Sequence, residues 1–314
     1  MGIANSSNLR GVILSLMVLA IMPSSSQARS LVFSSQVPTQ EVSQLRKDLS
    51  TTINLPSDAN TLKVMNIGSL TDGALKQWLS DRVGYIIGED EDINHNLVQL
   101  QQAFSYPNNI LPTIERPTRS PRTRPDPGGG GGGSEPKPTM VMANVGVSFY
   151  YLGKTKQVLA GYRLSANQTD QVIPMTSPRV GIIQVGEGLF GMVPYEANPN
   201  SMVNTWFRLS TLFHEAHHSD GNGKSLGFLH ATCPQSQGPY AGYAACDSAI
   251  NGAYGVEAYL LNQVRKACMA NNSCNAGEAE MLGRMIADSL SRLIGKSFLD
   301  PRPEGTVTGV SSGT

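Results

Sequence analysis

A stretch of low complexity cuts this chain in two. Arg116 to Thr139 is rich in proline, carries four arginines and includes an unbroken glycine run, Gly128 to Gly133. Such a composition buries no core and favours neither helix nor strand. The folded part of the 314-residue chain must then come from the two flanks. They form either two domains or one domain with a long insertion. The arginines could meet an anionic cell surface, but a solvated linker over 116–139 is the plainer expectation.

The flanks differ in hydrophobic period. Residues 29–115 read as a small, mostly helical region. Val42, Leu45 and Leu49 fall on one helical face, and Ile93, Leu97, Leu100 and Phe104 on another. Asp72 is expected to cap a helix carrying Leu75, Leu79, Val83 and Ile86. His95 falls off its stripe and reads as solvated. After the linker the period becomes two. Val141, Ala143, Val145, Val147, Phe149 and Tyr151 alternate with more polar or smaller neighbours, as do Val158, Ala160, Tyr162 and Leu164. Gly153 to Lys156 between them suggests an antiparallel hairpin. Val180 to Val185 and Leu189-Phe190 suggest one more strand or two. Long helices should follow, from about Ser201 to Ser219 and from Ala253 to Met269. A third starts at Asn275, with Glu278 completing a capping box, and runs to about Ile294. Strands followed by helices imply an α+β domain over 140–300, with a disordered tail at 301–314.

The N-terminus reads as a targeting segment, residues 1–28. Arg10 is followed by an apolar run, Gly11 to Met22, too short to span a bilayer, and Ser26-Gln27-Ala28 offers a cleavage site. No cysteine follows Ala28 to carry a lipid, so no stable membrane anchor is expected after cleavage. The expected location is periplasmic or secreted. Formal net charge is zero, which gives nucleic acid no field to follow. The four cysteines, Cys233, Cys246, Cys268 and Cys274, fit disulfides in an exported protein. Of three pairings, Cys233–Cys246 with Cys268–Cys274 closes short loops. A zinc–thiolate cluster is the weaker alternative, because no C-x-x-C pair occurs.

The chemistry concentrates in His214-Glu215-Ala216-His217-His218. Met202, Trp206, Leu209, Phe213 and Ala216 form the packed face of that helix, and His214 and His218, four apart, share a neighbouring face. Two imidazoles one turn apart can hold one zinc ion, and Glu215 stands to the side as a proton acceptor. Gly221 and Gly223 let the chain turn out of the helix.

This motif resembles the zincin metallopeptidases, whose signature is H-E-x-x-H. The resemblance implies a zincin-like domain, a zinc cofactor, a zinc-bound water with Glu215 as its general base, and a peptide or protein substrate. His217 matches no ligand position. His230 is the first choice of third metal ligand, placed where a bridge at Cys233 could stiffen it. Glu257 is the alternative that a gluzincin would use, and Asp247 the one that an aspzincin would use, although the flanking motifs of both groups are missing. Position 224 is a lysine, which excludes the metzincin pattern. Asp220 is expected to hydrogen-bond a ligand histidine. Tyr254 is a candidate catalytic donor to a developing oxyanion, with a core tyrosine as the plain alternative. The wider stretch from His214 to Gly255 is similar to a group of bacterial envelope proteins.

The expected function is an exported zinc-dependent hydrolase, a metallopeptidase. The alternatives are a zinc amidase acting on cell-wall peptides and a non-catalytic envelope protein with a structural metal. The N-terminal region could also act as a latency segment over the cleft. An edge strand near Val180 to Val185 could accept an extended peptide.

Overall fold

A computed structural model describes residues 31–51, 53–89, 91, 114–115, 141–144, 163–164, 172–174, 181–220, 228–299 and 306–308. The expected stripe from Ile93 to Phe104, His95, the linker and most of the expected hairpin lie outside these residues.

The organising layer is a four-stranded sheet. Its strands are β1 (Val32–Phe33), β2 (Val83–Gly88), β7 (Gly181–Val185) and β4 (Met142–Asn144), in that spatial order. β1, β2 and β7 run parallel, and β4 is antiparallel to β7. Every residue of β2 and β7 is buried, as expected of central parallel strands covered on both faces. Three two-to-three-residue strands lie elsewhere, β3 (Ile114–Glu115), β5 (Arg163–Leu164) and β6 (Val172–Pro174); β3 pairs with β5.

Two expectations change here. Val83 and Ile86 are not on the helix that starts at Asp72. That helix, α3 (Asp72–Ser80), follows α1 (Thr39–Ser50) and α2 (Ala59–Met65), and ends before β2 begins. Its N-cap is Thr71, one residue before Asp72, whose carboxylate instead accepts from the Ile53 N–H and Lys76 Nζ. A strand buried on both faces lacks alternation, so Leu75, Leu79, Val83 and Ile86 mimic a helical period by chance. β7, in turn, is not an edge strand, because β2 and β4 occupy both its sides. Leu189 and Phe190 fall in a short helix, α4 (Glu187–Gly191), and not in a strand.

The sheet is covered by α5 (Met202–His217). The Ser201 side chain caps it by accepting from the Val203 N–H at 3.1 Å. Val203, Leu209, Leu212, Phe213 and Ala216 are buried in the common core. Trp78 of α3 stacks on Phe213 with 5.3 Å between ring centroids, and Asp48 of α1 accepts two hydrogen bonds from the buried Arg208 guanidinium. The N-terminal region thus supplies two sheet strands and a packed helix layer. That makes it part of the fold rather than a detachable cover.

Beyond α5 come β8 (Ala231–Thr232), β9 (Ala244–Ala249), α6 (Ala253–Ala270), α7 (Ala276–Ser291) and β10 (Leu293–Ser297). β10, β9 and β8 form a second sheet in that order. The Asn275–Glu278 capping box starts α7, which stops at Ser291, so Ile294 lies on β10. A final strand, β11 (Thr306–Thr308), pairs with β6 in the stretch expected to be a tail. Disulfides join Cys233 to Cys246 and Cys268 to Cys274, with Cα separations of 5.1 and 5.4 Å. Two bridges fit an oxidising compartment. Among the described residues, no helix is long and apolar enough to cross a membrane. The fold is mixed α and β, with sheets of mixed strand direction.

Candidate metal centre

The helical period sets the first two donors. His214 and His218 stand one turn apart at the C-terminal end of α5, both buried. His230 reaches the same point from the segment before β8. One ligand atom from each of the three lies within 4.8 Å of the others, a group that could hold a metal ion.

Each ring is held from behind through Nδ1. His230 Nδ1 donates to Asp247 Oδ1 at 2.8 Å, and His218 Nδ1 donates to the Phe228 carbonyl at 3.1 Å. His214 Nδ1 faces Glu257 Oε2 at 3.2 Å. Asp247 and the Phe228 carbonyl are acceptors, so the neutral rings of His230 and His218 carry the proton on Nδ1 and the lone pair on Nε2; His214 does the same when Glu257 is a carboxylate. The Nε2 atoms of His214 and His230 then face one another at 3.1 Å. With Glu257 as a carboxylate, two lone pairs meet at that distance and repel, and a shared cation removes the conflict. Two nitrogens at about 2.0–2.1 Å from one tetrahedral zinc would be roughly 3.3 Å apart, so the His214–His230 pair has a spacing that fits the ion.

Electrostatics agree with a neutral His214. Burial first, and then the His230 ring, hold His214 well below the usual histidine range. Burial pushes the Glu257 carboxyl up to about 7, with Arg292 opposing. Glu215 lies beside the triad, its oxygens 4.0 Å from His214 Nε2 and 3.8 Å from His218 Nε2. Burial pushes its carboxyl up to about 8, against the Asn144 N–H that donates to Oε2 at 2.9 Å. A cation on the triad would favour the carboxylate form of both acids.

Asp247 and Glu257, weighed as ligands, support the rings instead. Asp247 Oδ2 also accepts from the Tyr254 N–H at 2.7 Å, tying His230 to the first turn of α6. Gly252 makes that approach possible, because a Cβ there would sit 2.4 Å from the Asp247 carboxylate. Phe228 presents its carbonyl from a left-handed backbone, φ 52°, a conformation costing on the order of 1–3 kcal/mol in a non-glycine residue and common at functional sites.

Asp220 does not bond a ring of the triad. It accepts from Arg82 Nε at 2.7 Å and engages His217 Nδ1 at 2.8 Å. His217 is buried, not solvent-facing, and its Nε2 donates to the Asn251 carbonyl at 2.6 Å, so neither ring nitrogen is free for a metal. Tyr254 packs its ring on His214 and His230, at 4.4 and 4.8 Å between centroids. Its hydroxyl accepts from Arg292 Nη1. Arg292, Asn144 and Phe228 were invisible as site residues. Asn144 enters through strand pairing, Phe228 through a backbone atom, and Arg292 from a helix end 38 residues past Tyr254.

No protein-family model, curated protein or solved structure matches the chain.

Proposed function

We propose that this chain is an exported zinc-dependent hydrolase, a metallopeptidase whose metal is held by His214, His218 and His230. The supporting observation is the approach of His214 Nε2 and His230 Nε2 to 3.1 Å, with all three rings partnered at Nδ1. When bound, zinc supplies a Lewis acid that lowers the pKa of a water to about 7 and polarises a carbonyl.

The chain's own residues supply the rest. Glu215 is held by the Asn144 N–H through Oε2 and lies within 4.0 Å of two donor nitrogens, a position that would suit a carboxylate taking a proton from an attacking water. The same carboxyl then returns that proton to the leaving amine. Tyr254 accepts from Arg292, which leaves the phenolic proton uncommitted among the described residues and available to a developing oxyanion. The described residues bring three side chains to the group.

The test is cleavage of casein and of peptidoglycan fragments by purified protein, with its E215Q variant. Casein cleavage lost in E215Q supports the peptidase. Cleavage of the cell-wall fragments alone would replace it with an amidase. Turnover of either substrate that survives E215Q would defeat both.

A further inference from the structure

The third imidazole is held differently from the other two. His214 lies in the last turn of a sixteen-residue helix and His218 is its C-cap, so the helix's own hydrogen bonds fix their spacing. His230 precedes a strand of only two residues, whose ladder to β9 has the registered pairs Ala231↔Cys246 and Thr232↔Ala244. Those two pairs, extended by hydrogen bonds of the Cys233 N–H to the Tyr243 carbonyl at 2.8 Å and of the Gly242 N–H to the Cys233 carbonyl at 3.0 Å, are a short tie for a metal ligand. The strong tie is covalent. Cys233, three residues after His230, is bonded to Cys246, which adjoins Asp247, the carboxylate that holds His230. One bond thus joins the segment carrying the ring to the segment carrying its anchor. Both cysteines are buried.

We propose that formation of the Cys233–Cys246 bridge is the maturation step that completes the metal centre. Before it forms, His230 is not held against His214 and His218, and the chain binds zinc weakly through the α5 pair. The proposal rests on the metal-centre reading above. In chemical terms, the two thiols lose two protons and two electrons as the S–S bond forms. A disulfide oxidant takes them up by thiol–disulfide exchange and leaves as two thiols. A chain in a reducing compartment lacks the bridge, so the hydrolase stays metal-poor until it is exported. Because the bridge is buried, the folded protein sets it once and does not toggle it. Cys268–Cys274 joins α6 to the turn before α7 some three turns beyond Glu257, and serves as the control.

The experiment is zinc affinity of the folded protein, by competition with a chromophoric chelator. The variants are C233A/C246A, C268A/C274A, H230A, and C233A/C246A combined with H230A. Alanine leaves no thiolate to capture metal. C233A/C246A should bind roughly 10–100-fold more weakly, in the range of lost support to a ligand. Adding H230A should weaken it little further, because the bridge acts through His230. C268A/C274A should bind as the unmutated protein does. If circular dichroism shows C233A/C246A unfolded, C233A/C246V, which refills the buried volume without bridging, takes its place. Undiminished affinity in a folded variant without the bridge overturns the proposal, and so do equal losses from both cysteine pairs. Failure of the oxidised, unmutated protein to bind zinc is a separate result, which removes the metal-centre reading and the proposal with it.

Discussion

Asp247 bridges His230 and Tyr254. One carboxylate oxygen accepts from the ring at 2.8 Å, and the other accepts from the Tyr254 N–H at 2.7 Å. The third imidazole is therefore oriented by the start of the helix that also carries Glu257. Asp247→Asn keeps the shape and loses the charge. Zinc affinity should fall roughly 10–100-fold, as it does when the outer partner of a metal-binding histidine is lost. Isothermal titration with zinc measures it, and unchanged affinity would show that the contact does not orient the ring.

Glu215 should matter for turnover and not for metal retention. Its oxygens lie 3.8–4.0 Å from the donor nitrogens, beside the group and not in it. E215Q should retain its zinc and lose roughly 10²–10⁴-fold in kcat. Metal analysis and steady-state kinetics on one preparation test both parts. Loss of the metal along with activity would make Glu215 a ligand.

Tyr254→Phe removes one hydroxyl and keeps the ring that backs His214 and His230. A phenol acting on the oxyanion contributes only in the transition state. kcat should drop roughly 10²–10³-fold with KM little changed. A variant with native kcat would leave Tyr254 a packing residue.

The Asp48–Arg208 pair ties α1 to α5 with both side chains buried. Asp48→Ala leaves a buried guanidinium without its carboxylate, which costs about 3–5 kcal/mol. Urea unfolding should show this loss in one cooperative transition, because the N-terminal helices share the core of the metal helix. Two separate transitions would mean that the N-terminal region folds by itself.

Asp58 caps α2 and bonds to Gln263 and Lys266 on α6. The Thr61 N–H, first among the causes, holds its carboxyl below the ordinary aspartate range. A carboxyl lowered by folding contributes stability that is full above its unfolded pKa of about 3.9 and is lost as pH falls through the lowered value. Asp58→Asn should therefore narrow the gap in urea midpoint between neutral and acid pH. Parallel midpoint curves for the two proteins would contradict it.

How much of this was legible follows from the range of the interactions. His214, Glu215 and His218 stand on one helix, and helical spacing alone brings them together. The Asn275 capping box is equally local, and both disulfides close loops of 13 residues or fewer. His230 could be named but not placed, because its position depends on Asp247 across a strand pairing. Asp220 pairs with Arg82 across 138 residues, a partner that local spacing does not reveal. β2 was hidden for a different reason. A doubly covered strand carries no alternating pattern, and its apolar residues extended the period of the preceding helix.

X-ray absorption at the zinc edge, on protein purified without added metal and quantified by elemental analysis, bears most directly on the centre. One zinc per chain with three imidazole nitrogens at about 2.0–2.1 Å is the expected result, and His230→Ala should reduce that nitrogen count by one. Protein without stoichiometric transition metal, or zinc whose imidazole shell is unchanged in His230→Ala, would contradict it.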